Sequence, residues 1–373
     1  AGALGFSTSR SLNHKGSDGR VSPSLQAAEA ELTAIATALG QTGTGVLQAI
    51  SDFDDLDEEM AMLGRVCRAS GRPMSISLLQ RHATPDQWQD ILRWIERFNA
   101  EGMKVLAQVS DRPVGALLGL DLSLNPLTRS QAYASVADLP LEARARKLAE
   151  PSLKERIVAD LARMEPALQF DRMYPLDKSP DYEPTAERFV SALASARGVS
   201  PAEELFDLML EDNGRAVIAQ PSSNYAQGSL EVCRQMLAHE HTVIGLADGG
   251  AHLGILCDSS QPTHLLSYWT RDRASDRIPV ERAVSALTQE PADAVGLGDR
   301  GVIAAGKRAD INVIDYDKLA FDRPTASYDL PEGGRRLRQR SHGYVATFVS
   351  GTAIRRDDEE TGARPGRLVR GAR

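Results

Sequence analysis

Segments 45–50, 74–79 and 103–109 read as short buried strands, and they begin about 29 residues apart. Apolar residues at helical spacing fill both gaps. Leu56, Met60, Leu63 and Cys67 share one face over 55–70, with Gly71 just beyond. Trp88, Ile91, Leu92, Ile95 and Phe98 do the same before Gly102, and Thr84-Pro85-Asp86-Gln87 reads as a capped helix start at Pro85. A strand at 2–8 and an amphipathic helix over 24–39, stopped by Gly40, extend the rhythm upstream. Strand–helix alternation of this length predicts βα units joined by right-handed crossovers. The expected class is α/β on a parallel sheet, open or closed into a barrel.

From 110 to about 240 the rhythm breaks. Prolines punctuate short helical pieces, among them a capped helix over 200–211, and 215–220 reads as a short strand. This block is expected to be a long insertion over one mouth of the sheet. The parallel rhythm then returns with Thr242-Val-Ile-Gly-Leu-Ala-Asp-Gly-Gly-Ala-His252. Here an apolar strand ends at Asp248 and two glycines let the chain turn. A carboxylate at the carboxyl end of a buried parallel strand stands where barrel enzymes gather their reactive groups; an Asp-Gly turn is the plain alternative.

Beyond helices near 263–271 and 279–289, the pattern changes to alternation. Strands are expected at 301–306 and 309–315, and a hairpin at 344–356, together a small β module before an arginine-rich tail. The expected division is 1–298, 299–357 and 358–373. Forty-three basic against 51 acidic residues give a net charge of −8, which speaks against nucleic acid or an anionic membrane surface as partner. No apolar run approaches a bilayer span. Cys67, Cys233 and Cys257 form no disulfide or zinc-type spacing, so a reducing cytoplasm is expected.

The segment Pro291-Ala-Asp-Ala-Val-Gly-Leu-Gly-Asp-Arg-Gly-Val-Ile-Ala-Ala-Gly-Lys-Arg-Ala-Asp-Ile-Asn-Val-Ile-Asp315 resembles the C-terminal crossover of the amidohydrolase superfamily. Ala3-Leu-Gly-Phe-Ser-Thr8 resembles the fourth barrel strand of the N-acyl-D-amino-acid deacylases (D-aminoacylases), and Ile244-Gly-Leu-Ala-Asp248-Gly249 resembles their eighth. The resemblance implies an incomplete (β/α)8 barrel, strands four to eight, followed by the β module. It implies metal-dependent hydrolysis of a linear amide in a small-molecule substrate, with zinc or another divalent metal and Asp248 as general base and acid, also as a metal ligand.

This chain departs from the family pattern in three ways. The first-strand His-x-His is absent; His239-Glu-His241 has the spacing but precedes its strand and reads as a surface pair. No histidine stands near Ile50 or Leu78, where strands five and six should end in one. Strands one to three are missing. The main metal ligands are therefore expected upstream, and this stretch alone is expected to be inactive. His252, Arg112, Gln108 and Ser77 are expected at the substrate or just behind it, Arg112 as a carboxylate clamp or else in a local salt bridge. Asn224 and Tyr225 are weighed as pocket lining against loop packing, and Cys257 with His264 as a nucleophile pair on spacing only. The rival readings are a cyclic-amide hydrolase of the dihydroorotase or hydantoinase kind and a non-catalytic binding protein. Self-association into a homo-oligomer is compatible with all three.

Overall fold

The computed structural model describes residues 2–16, 18–245 and 252–370. Its first part follows the predicted rhythm: β1 (Gly5–Arg10), α1 (Glu29–Gln41), β2 (Val46–Ser51), α2 (Leu56–Ser70), β3 (Met74–Ser77), α3 (Gln87–Ala100) and β4 (Val105–Val109). Asp55 caps α2 by accepting from the Glu58 N–H, and Gly71 ends it in the left-handed conformation. One face of the sheet is apolar: Leu47, Ala49, Met74, Ile76, Val105, Ala107 and Val109 join Met60, Leu63, Ile91 and Ile95 of the helices in one core.

The insertion carries β5 (Val114–Leu118), α4 (Leu141–Leu148), α5 (Pro151–Ala162), α6 (Glu165–Leu168), β6 (Tyr174–Pro175), α7 (Val190–Arg197), α8 (Pro201–Gly214) and β7 (Ile218–Ser223). β7 pairs antiparallel with both β5 and β6. Leu127, Ile157, Leu161, Phe170, Leu205, Phe206 and Met209 form a second core there. The chain then returns through α9 (Glu231–Ala238) to β8 (Thr242–Ile244), which pairs parallel with β4. The result is an α/β fold with a five-stranded parallel sheet, order β1-β2-β3-β4-β8.

After β8 come α10 (Gln261–His264), continued as a π-helix to Asp272, then α11 (Val280–Leu287) and α12 (Gln289–Ala294). Short antiparallel strands follow: β9 (Ile311–Ile314), β10 (Ala320–Phe321), β11 (Thr325–Leu330), β12 (Gly334–Arg338), β13 (Ser341–His342), β14 (Tyr344–Val349), β15 (Thr352–Arg356) and β16 (Glu359–Glu360). β14 pairs with β15 and with β9. Among the described residues no helix is long and apolar enough to cross a membrane.

Several local expectations change. Gly40 does not stop α1; it lies inside the helix, where a β-carbon would come 2.2 Å from the Ser70 carbonyl oxygen. α3 starts at Gln87, not Pro85, and no side chain caps it; the Gln87 side-chain amide donates to the Phe53 carbonyl at 2.9 Å. Residues 301–306 form no strand: Gly301 and Gly306 both have positive φ, and the Lys307 N–H closes a turn on Ala304. The expected strand to Asp248 is described only through Ile244; Asp248 itself, with residues 246–251, lies outside the described residues.

Candidate functional site

Parallel strands put all their carboxyl ends on one rim, and in parallel α/β proteins ligands bind there. The face opposite the apolar one is polar. Gln48 donates to Ser77 Oγ at 3.1 Å and Gln108 to Ser75 Oγ at 2.9 Å, a cross-strand ladder in which Ser77 stands opposite Gln108. Ser77 and Gln108 thus lie on one face at the carboxyl ends of β3 and β4. β8 continues the row, with Val243 opposite Gln108 and Ile244 opposite Val109. The chain leaves this rim through Gly245, whose N–H donates to the Val109 carbonyl at 2.9 Å.

His252 is exposed and holds a left-handed backbone, φ 51°. Its carbonyl accepts from the Ile255 and Leu256 N–H groups, so it opens a tight turn. The turn is tied from two sides. Ser123 donates its N–H to Gly254 and Leu117 to Ile255, both from the insertion; Leu337 of β12 donates to Leu253 at 2.7 Å.

Arg112 takes the local salt bridge that stood as the alternative to a carboxylate clamp. It is buried, 2% exposed, and its guanidinium donates to the Ser260 hydroxyl (3.0 Å), the Cys257 carbonyl (2.8 Å) and Asp258 Oδ1 (3.0 Å). It also lies 4.4 Å from the Tyr182 ring centre. Burial alone would favour loss of its proton, but Tyr182, Asp258 and Asp111 outweigh that and hold the proton more firmly than usual. The local salt bridge is the form the structure takes, and it fastens residues 257–260 to the end of β4.

Asp111 and His264 make a second buried link, Nδ1 to Oδ2 at 2.9 Å. Trp269 Nε1 donates to the Asp111 carbonyl at 2.7 Å. His264 is thereby engaged with Asp111, and burial pushes the Cys257 thiol up, so the weighed Cys–His nucleophile pair is not formed. Asn224 is fully buried, accepting from the Gln80 N–H at 2.8 Å, and the Tyr225 hydroxyl donates to the Pro184 carbonyl. These two hold a loop. His239 meets Glu96 at 3.0 Å at the amino end of β8, away from the rim.

Sequence reasoning missed the loop after β1. His14 Nδ1 is hydrogen-bonded to the Ser9 hydroxyl, and Asp52 draws the loop down by accepting from Ser11 Oγ and the Leu12 N–H, each at 2.7 Å. The signal available was a histidine four residues past a strand end. A cavity of about 710 Å³ lies over the polar face toward the amino ends, with Ser75, Leu106, Gln108, Thr242 and Arg282 in its walls. Among the described residues no three His, Cys, Asp or Glu side chains come together as a metal site, so these residues alone do not fit a divalent ion.

A family model described as "Amidohydrolase family" matches residues 1–354, and the chain belongs to that family. A D-aminoacylase studied for the functional role of its binuclear metal centre superposes with a TM-score of 0.54 at 20% identity, over 97% of this chain and 61% of that one. A D-aminoacylase mutant in complex with copper chloride superposes with a TM-score of 0.56, also at 20% identity, over 99% of this chain and 63% of that one. The alpha-D-ribose 1-methylphosphonate 5-triphosphate diphosphatase of Escherichia coli (strain K12) is 40% identical over 76 residues, 20% of this chain and 18% of that protein. The chain thus spans less than two thirds of the length of each of these proteins.

Proposed function

We propose that this chain is the larger part of a (β/α)8-barrel hydrolase of linear amide C–N bonds, acting on N-acyl-D-amino acids in a reducing cytoplasm. One relationship carries the reading. β8 lies parallel beside β4, and the chain runs on toward Asp248 from the rim that also holds Ser77 and Gln108. The sheet ends at β1 and β8 among the described residues, and the D-aminoacylase structures are longer than this chain. Three further strands beyond these five would close the barrel.

In the proposed reaction water adds to the amide carbonyl carbon. Asp248 takes a proton from that water and returns it to the nitrogen as the C–N bond breaks, leaving a carboxylate and an amine. A divalent metal, zinc by preference, would supply water activation when bound. Among the described residues no three His, Cys, Asp or Glu side chains are grouped to hold it. A second reading, a barrel that binds without catalysis, draws support from the same missing cluster.

Full-length protein with zinc, assayed for amine release from N-acyl-D-amino acids and for ring opening of hydantoins and dihydroorotate, separates the readings. The linear amides are expected to turn over, and Asp248→Ala and Asp248→Asn to lose about 100-fold or more. Ring opening alone would favour the cyclic-amide hydrolase. Tight binding without turnover in any arm would favour the binding protein.

A further inference from the structure

The loop after β1 has no role in the reaction as proposed, yet it is built with care. Residues 11–22 fold back on themselves: Lys15 bridges Val21, the Ser22 N–H donates to the His14 carbonyl at 2.9 Å, and the His14 N–H returns to Ser11. Asp52, just past β2, anchors the base of the loop through Ser11 and Leu12. Ser24 Oγ donates to the Ser9 carbonyl at 2.7 Å. These contacts bring the His14 ring to the Ser9 hydroxyl, which holds Nδ1.

Ser9 is not on the helix-covered face. Ser7 stands opposite Gln48 and Ser9 opposite Ile50 in the β1–β2 pairing, so Ser9 shares the polar face of Gln48, Ser77 and Gln108. It is next to last in β1, at the rim. His14 is half-buried, and among the described residues its side chain makes one hydrogen bond, from Nδ1 to Ser9. A ring fixed through Nδ1 beside the rim, with no partner to Nε2 among the described residues, is placed to meet a ligand.

We infer that His14 is a ligand-contacting residue, its Nε2–H donating to a carboxylate oxygen of the small molecule held over Ser77 and Gln108. We take the Ser9 hydroxyl as donor to Nδ1; the neutral ring then carries its proton on Nε2, and so does the charged ring. Either form presents a donor, which suits an anionic oxygen and not a cation. β1 and β3 are two strand spacings apart, roughly 10 Å. The inference rests on the reading of this rim as the binding face.

The test is made on the full-length protein with N-acetyl-D-alanine as probe. Under steady-state kinetics His14→Phe is expected to raise KM about tenfold with kcat within about twofold, as for a bond made equally in ground and transition states. His14→Gln, which keeps a donor near the Nε2 position, is expected to recover at least part of that loss. Ser9→Ala, which frees the ring, should raise KM less than His14→Phe does. Independently of turnover, the ¹⁵N resonance of His14 Nε2 should move on titration with the probe. An unmoved resonance, or an unchanged KM in His14→Phe, overturns the inference. A His14→Gln variant as impaired as His14→Phe overturns the donor role. A moving resonance in a protein without turnover overturns the hydrolase reading and leaves His14 in place.

Discussion

Asp111 Oδ2 lies 2.9 Å from His264 Nδ1, and neither the other carboxylate oxygen nor Nε2 finds a partner among the described residues. Both side chains are essentially unexposed, and the ring stacks on Tyr268 with centres 4.9 Å apart. The pair joins the end of β4 to α10. Taking one member away leaves the other buried without that partner.

His264→Ala is therefore expected to cost about 3–5 kcal/mol, because the Asp111 carboxylate would stay buried without its partner. The double variant Asp111→Ala/His264→Ala should be less harmful than the two single losses added, by at least about 1 kcal/mol. Urea unfolding of the four proteins measures both. Additive losses would mean that the two groups are not coupled.

Arg112 gives a sharper local prediction. Its contacts to Ser260, Cys257, Asp258 and the Tyr182 ring need a flat, forked cation. Arg112→Lys keeps the charge but not the fork, and is expected to cost about 2–4 kcal/mol. The loss should be local: amide exchange in 252–260 should quicken more than in β2 and β3. Uniform quickening across the sheet would mean that Arg112 is only a core-filling residue.

These two links also explain what the sequence could and could not reveal. β2, β3 and β4 were legible within a residue or two because their signal is local: apolar runs at an even spacing, with helix-period residues between them. The partners of Arg112 were not. Asp258 is 146 residues away, and only the return of β8 beside β4 brings it near. The charged run Gly334-Arg-Arg-Leu-Arg338 carried no strand signal, yet it forms β12, which is held by Leu337 against Leu253 and by Arg335 against Asp121 and Ser123. The alternating 301–306 misled in the other direction, since two glycines with positive φ turn the chain instead of extending it.

Glu183 ties the insertion to the helices around β8, and it makes stability depend on acid. Burial pushes its carboxyl up, but Arg273, the Tyr268 hydroxyl and the Leu230 N–H together hold it below the usual glutamate range. The folded protein then binds this proton less readily than the unfolded chain. Its contribution is full above the ordinary glutamate value, about 4.3, and is lost as pH falls through the lower folded value. Glu183→Gln should be less stable than the parent near neutrality, and the gap should close as pH falls below about 4. A gap independent of pH would mean that the carboxylate charge contributes nothing.

The contact of α1 with α2 sets the last test. Gly40 brings α1 so close that an added methyl would sit 2.2 Å from the Ser70 carbonyl oxygen and 3.0 Å from its carbon. That oxygen belongs to the last residue of α2, and Gly71 caps the helix there by donating to the Cys67 carbonyl. The obstacle is backbone and cannot swing aside. Alanine would raise helix propensity by about 1 kcal/mol, but prying the two helices apart should cost more. Gly40→Ala is expected to lose about 1–3 kcal/mol net with helix content unchanged. Gly298, with ordinary φ and nothing within 4 Å, is the control: Gly298→Ala should stay within about 0.5 kcal/mol of the parent. A stabilised Gly40→Ala would show that α1 rides farther from α2 in solution than the close approach described above.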